Sequence, residues 1–205
     1  MNNFLEINWE QERPDAIATD AFWSELKITQ LLIDTPAIHN TLAEFRRIFT
    51  NGGAEFACFE LPDDAVLHWF ASRNRLEEMD FFRRILVTPV VRGSALQLKI
   101  PETITVDLEL KTVFSFTLGG QIAAILRYGG AYTGGGSKSS DRELKNIGDG
   151  FCESLFDDRY SEILVQSSGE DWSPWFHEIG IWNSTWFGID KRLRRFWLLA
   201  VTDTD

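Results

Sequence analysis

The stretch LQLKIPETITVDLELKTVFSFTL, residues 96–118, is the one on which the fold reading turns. Leu96, Leu98 and Ile100 alternate with Gln97 and Lys99; Ile104, Val106, Leu108 and Leu110 alternate with Thr105, Asp107 and Glu109; Phe114, Phe116 and Leu118 alternate with Ser115 and Thr117. Successive side chains of a strand point to opposite faces, so this alternation places one face of each strand on a core and the other in water. The links Pro101 to Thr103 and Lys111–Thr112 are of hairpin length. The segment reads as a β-meander of three or four strands, with Val87 to Arg92 adding a strand ahead of Gly93–Ser94.

Working towards the N-terminus, Ala54 to Leu61 has the composition of another strand, broken by Pro62-Asp63-Asp64. Before it, Ile38, Leu42, Phe45 and Phe49 recur at helical spacing. Asp34 or Thr35 supplies the N-cap, Pro36 sits where a first-turn proline costs nothing, and Asn51-Gly52-Gly53 ends the helix. Asp20 is placed to cap a short helix through Leu26, and Ile28 to Ile33 fits a strand or a continuation of that helix. Ala65 to Leu86 is ambiguous in its first half and helical in its second.

Working towards the C-terminus, Gly119 to Tyr128 predicts a short helix, and Gly129 to Ser140 a glycine-rich loop. Ser140 and Glu143 make a capping box, in which each side chain satisfies a backbone N–H of the other's turn. The helix it opens carries Leu144, Ile147, Phe151 and Leu155 on one face. Ser161 to Gln166 reads as a strand. Thr185 to Asp190 and Phe196 to Thr202 read as a hairpin around the basic turn Lys191 to Arg195. The expected fold is therefore α+β, an antiparallel β-meander with flanking helices and a C-terminal β-hairpin. Residues 1–19 are polar and acidic and are expected to form an arm, with residues 20–205 as a single α+β domain.

Composition narrows the function. The 205 residues carry 31 acidic and 20 basic side chains, a formal charge of −11. Such a surface repels phosphate backbones and disfavours nucleic acid, while it steers a basic protein partner inward. The two cysteines, Cys58 and Cys152, lie far apart in apolar contexts and read as buried thiols rather than a disulfide framework. The N-terminus lacks a basic start and an apolar run, and no segment is long and apolar enough for a membrane span. A soluble, cytoplasmic protein is expected. The oligomeric state is left open.

Catalytic signatures are sparse. The loop Gly129 to Ser140 invites a phosphate-binding reading, but Ser137 precedes Lys138 where a P-loop needs glycine, and the first P-loop glycine is replaced by Tyr132. No nucleophile elbow of the Gly-x-Ser-x-Gly type occurs. The three histidines, His39, His68 and His177, show no zinc-ligand spacing, so no metal or cofactor is expected. Asp203 and Asp205 with Asp190 suggest a cation site or else a frayed, solvated C-terminal pair. The basic turn Lys191 to Arg195, with Arg83–Arg84 and Arg46–Arg47, suggests an anion or carboxylate site or else a solvated turn.

The tail is unusual in holding five of the eight tryptophans between Asp171 and Asp205. Large aromatics dominate both cores and interfaces. The leading expectation is a non-enzymatic protein-binding module, immunity- or antitoxin-like, that masks a basic partner with an acidic, aromatic-rich surface including Trp172, Trp175, Trp182 and Trp186. The alternative is a small hydrolase-like enzyme with His177, Glu178 and Asp171 as catalytic groups, or a small-molecule-binding domain, with a cleft around Trp172 to Trp186. The alternatives require those tryptophans to line one concavity; partner binding requires exposed aromatics rimmed by carboxylates.

Overall fold

The computed structural model describes residues 3–131, 137–176 and 182–204. Among them, six strands form one antiparallel sheet: β1 (Thr29–Leu31), β2 (Gly53–Glu60), β3 (Lys111–Val113), β4 (Ile163–Ser168), β5 (Ser184–Asp190) and β6 (Arg195–Thr202). They are hydrogen-bonded in the order β1-β2-β6-β5-β4-β3. Seven α-helices accompany the sheet: α1 (Ala16–Glu25), α2 (Pro36–Ile48), α3 (Ala65–Ser72), α4 (Phe81–Leu86), α5 (Pro89–Ser94), α6 (Ser115–Tyr128) and α7 (Asp141–Phe156).

The composition of β6 sets the layering. Phe196, Leu198 and Ala200 pack into one core and Trp197, Leu199 and Val201 into another, all buried. A strand apolar on both faces needs cover on both, so β6 sits inside the sheet with helices above and below. The first core joins Ala57, Phe59, Phe187 and Ile189 to side chains from α1, α3, α4 and α5. The second joins Cys58, Val165 and Trp186 to α2, α6 and α7 through Phe45, Ile122 and Phe151. At the centre, Trp197 lies directly across from Gly188 in the β5–β6 register. A Cβ at Gly188 would fall 1.9 Å from Cε2 of that indole, so only glycine lets the ring lie flat over its partner strand.

The α+β architecture and the C-terminal hairpin are as expected, and the antiparallel meander runs from β3 through β6. Its strands, however, come from other residues than the alternation suggested. Of residues 96–118, only Lys111–Val113 pair in the sheet. Leu98, Ile100, Ile104 and Leu108 are buried in the first core as an irregular strap, with Lys99 and Glu109 at φ of 49° and 42°, outside strand geometry. Leu96 and Val106, apolar positions of the same alternation, are exposed, so the pattern fixes neither burial nor pairing; a ladder also needs a neighbouring edge to bond to, and the strap finds none. Ser115, Leu118, Gly119, Ile122 and Leu126 are the buried positions of α6, a helical spacing that leaves Phe114 and Phe116 in solvent. The strand expected over residues 87–92 is replaced by α5, where Pro89 opens a helix because its missing N–H is not needed there.

The remaining boundaries follow local chemistry. Thr35 caps α2, its Oγ1 accepting from Ile38 N at 3.3 Å, with Pro36 in the first turn; the helix ends at Phe49, whose N–H donates to Phe45 O at 2.8 Å, rather than at Asn51-Gly52-Gly53, where Gly53 already opens β2. The capping box opens α7: Glu143 N donates to Ser140 Oγ at 3.3 Å and Ser140 N donates to Glu143 Oε2 at 2.7 Å. Asp15 rather than Asp20 caps α1, accepting from Ala18 N at 2.8 Å. The N-terminal segment is irregular up to that cap but is tied down. Phe4 is 1% exposed in the first core, Phe4 N donates to Lys191 O at 2.7 Å, and Arg73 donates to Asn8 O at 2.6 Å. Among the described residues, no helix is long and apolar enough to cross a membrane.

Candidate interaction surface

At one end of the sheet, the start of β2 and β5 meets the end of β4 and β6, and here the polar residues of the tail close on one another. Asp203 is buried at 2% exposure, its Oδ1 accepting from Asn51 N at 3.0 Å and its Oδ2 from Ala131 N at 2.9 Å. Asn183 bridges Thr202 and Asp171 through side-chain hydrogen bonds. Gly52 is required at the turn into β2, because a Cβ there would lie 1.9 Å from Thr202 O. Both oxygens of Asp203 are thus occupied by backbone donors. The group acts as a clasp that joins the C-terminus to the α2–β2 turn and to the start of the glycine-rich loop.

The far end of that loop is clasped in turn. Arg47 grips Glu44 with two nitrogens, at 3.0 and 2.7 Å, and donates to Ser137 Oγ at 2.8 Å. Arg127 donates to Ser137 O at 3.2 Å and pairs with Asp141 at 3.2 Å. The Arg47 guanidinium, helped by the Ser137 hydroxyl, holds the Glu44 carboxyl below its usual range against the opposing effect of burial. Of the Gly129 to Ser140 loop, residues 132–136 lie outside the described residues.

The tryptophans of the tail do not share a side of the sheet. Trp172 is buried in the first core, donating Nε1 to Thr185 Oγ1 at 3.0 Å. Trp186 is buried in the second core, donating Nε1 to Gln121 Oε1 at 3.1 Å. Trp175 packs half-buried against the first core, and Trp182 is half-buried. Asp171 is held by Asn183, while His177 and Glu178 lie outside the described residues. Of the other histidines, His39 is a surface residue 2.8 Å from Asp34, and His68 is half-buried edge-on to Phe4 at 6.3 Å.

Most side chains of the basic clusters are engaged within the fold. Arg192 pairs with Glu162, Lys191 donates to Ser72 O and Asn74 Oδ1, Arg83 pairs with Asp80, and Arg46 bonds Ala54 O and Glu55. Asp190 pairs with Arg159 at 2.6 Å at the opposite end of the sheet from Asp203, so these two carboxylates do not converge on a cation; Asp205 lies outside the described residues. Among the described residues, no group of three or more His, Cys, Asp or Glu side chains can hold a metal ion. Burial pushes the Cys58 and Cys152 thiols up to about 12, which leaves both protonated and unreactive at neutral pH.

Exposed aromatics concentrate elsewhere, where α6 begins and α7 ends. Phe114 is 76% and Phe116 74% exposed. Phe116 stacks on Tyr160 with centroids 5.1 Å apart and planes at 19°, and Tyr160 stands edge-on to Phe156 at 5.3 Å. Ser115 Oγ donates to Tyr160 O at 2.6 Å and fixes the two segments together. Exposed Glu153, Asp157 and Asp158 surround the end of α7, whose last turn contains no basic residue. Among the described residues, none of these three carboxylates forms an ion pair. Burial, then the negative charges of groups including Glu153, Asp149 and Asp158, push the Tyr160 phenol above its usual range, which places those carboxylates within electrostatic reach of the ring.

This acidic end runs against local rules. A helix C-terminus already carries partial negative charge, so carboxylates there are destabilising. Asp157 also occupies the C-cap at φ 52° and ψ −135°, a conformation natural to glycine. Features that break local rules concentrate at functional sites. The tryptophan-centred reading did not include this surface. Its signals were the Asp157–Asp158 pair directly after a helix, where glycine or a basic residue is usual, and the helical spacing from Ser115 that turns Phe114 and Phe116 outward. No protein-family model matches this chain, and no curated protein matches it.

Proposed function

We propose that this chain is a non-enzymatic protein-binding module, immunity- or antitoxin-like, that masks a basic protein partner with an acidic surface centred on Phe114, Phe116 and Tyr160. The observation that carries the reading is exposed Phe116 stacked on half-buried Tyr160, at the end of α7 where Glu153, Asp157 and Asp158 form no ion pair among the described residues. Interfaces join a buried aromatic centre to a charged rim, and carboxylates of one sign raise the rate of encounter with a cationic partner. The net charge of −11 extends the same attraction over longer range.

The second reading, a small-molecule site at the tail, draws on a cleft of roughly 270 Å³ between the strap and the segment before β5. Ile104, Val106, Asp171, Trp172 and Phe176 line it. That volume falls just below the range of about 300–1,000 Å³ typical of ligand pockets. Trp186, on the other side of the sheet, takes no part in it.

Capture from host lysate followed by native mass spectrometry separates the readings. The protein-binding reading expects a stoichiometric basic protein, released by high salt and lost when Phe116→Ser is combined with Glu153→Gln. A bound small molecule, retained by that double variant and lost in His177→Ala, refutes it and supports the alternative.

A further inference from the structure

Aromatic rings on the first-core side of the molecule carry the chain's own arginines. Arg73 lies 5.7 Å from the Trp9 ring and 4.6 Å from the Trp69 ring. Arg13 and Arg75 also approach Trp69, at 5.9 and 5.4 Å, and Arg84 lies 4.8 Å from Trp23. The Phe116–Tyr160 stack differs. Among the described residues, no arginine lies over either ring, although Glu153 and Asp158 lie within electrostatic reach of Tyr160. Arg159, the sequence neighbour of Tyr160, is turned away into its pair with Asp190 at 2.6 Å. Lys145, the nearest cation along α7, is bound to Asp149.

We infer that the partner brings the cation to this face: an arginine side chain that stacks on the Phe116–Tyr160 pair while bonding the carboxylates at the end of α7. The inference rests on the protein-binding reading above and adds the identity of the recognised group. A guanidinium satisfies both halves of the surface at once. Its plane lies on an aromatic ring, and its forked donors match a carboxylate with two hydrogen bonds. A lysine ammonium meets the charge but neither the plane nor the fork. The negative end of the α7 dipole adds to the attraction, since Glu153, Asp157 and Asp158 are gathered on the final turn and just beyond it.

The test compares two fluorescein-labelled peptides that differ only in their cations, one alternating Arg with Ala and the other Lys with Ala. Fluorescence anisotropy at low salt reads their affinities for the full chain. The expected result is tighter binding of the arginine peptide by about two- to five-fold, the range of an exposed cation–π contact. Phe116→Leu keeps an apolar side chain at this exposed position and is expected to bring the two peptides to parity. Trp9→Leu, on the opposite side of the molecule, is expected to leave the preference intact. Glu153→Gln with Asp158→Asn weakens both peptides together. Equal affinity of the two peptides for the wild type, or a preference that survives Phe116→Leu, overturns the arginine assignment. In that case binding still lost in the carboxylate variant keeps the protein-binding reading. Failure of both peptides to bind at low salt overturns both.

Discussion

Asp157→Gly is expected to stabilise the fold while weakening the proposed interaction, and the two effects can be worked out from one residue. Asp157 caps α7 at φ 52° and ψ −135°, and holding a residue with a side chain in so sparsely populated a region costs about 1–3 kcal/mol. Its charge sits at the negative end of a helix whose last turn has no basic residue, a further cost of about 0.3–1 kcal/mol. Against these gains, glycine gives the unfolded chain more freedom, which opposes folding by about 0.4–1 kcal/mol. The balance is a stabilisation centred on about 2 kcal/mol, with bounds of roughly 0.3 and 3.6. For a chain of 205 residues the central value corresponds to roughly 4–8 °C in Tm. Urea denaturation followed by circular dichroism gives the free energy, and calorimetry the Tm. Asp157→Asn separates the causes: it removes the charge and keeps the side chain, so it should recover only the electrostatic part, below about 1 kcal/mol. Both variants should bind the arginine peptide more weakly than wild type. An Asp157→Gly protein that is unchanged or less stable refutes the claim that this cap is strained.

Gly188→Ala should destabilise by about 1–3 kcal/mol, because its Cβ meets the Trp197 ring, while in a Trp197→Leu background the same change should cost far less or stabilise; a cycle of urea midpoints gives the coupling. The Glu44 carboxyl titrates below its ordinary value of 4.5 in the folded state, so the stability it contributes is complete above that pH and is lost as pH falls through the lower folded value. Glu44→Gln should therefore lower stability by about 1 kcal/mol at pH 7, with Arg47 half-exposed, and the difference from wild type should vanish in strong acid; denaturation across a pH series reads it. With both thiols pushed up to about 12, Cys58 and Cys152 should resist a thiol-reactive disulfide reagent at pH 8 in the native protein and react at once in guanidinium chloride.

How far the sequence reached depended on whether a residue's structure is decided by its neighbours in the chain. Pro36 and Thr35 announced α2, and Ser140 with Glu143 announced α7, because capping hydrogen bonds close within a few residues. The hairpin of β5 and β6 was legible for the same reason: its strands are consecutive and their turn is short. Residues 96–118 failed the same reading. Their alternation marked Leu98, Ile100, Ile104 and Leu108, which are buried, but equally Leu96, Val106, Phe114 and Phe116, which are exposed, because a short apolar pattern does not by itself distinguish a strand from an irregular strap or a helix start.

The candidate surface was less legible still. Asp171 to Trp186 drew attention because tryptophan is conspicuous, yet Trp172 and Trp186 spend that size on opposite cores. Phe114 and Phe116 read as the core face of a strand, and both stand in solvent. By itself the sequence determined the α+β class, the acidic charge, the N-terminal caps of α2 and α7 and the C-terminal hairpin, all of which follow from composition or from contacts a few residues apart. Only the tertiary structure decided which aromatics are buried and which carboxylates stand beside them. That choice depends on which segment covers which face of β6, and such pairing joins residues far apart in the chain that no local pattern encodes.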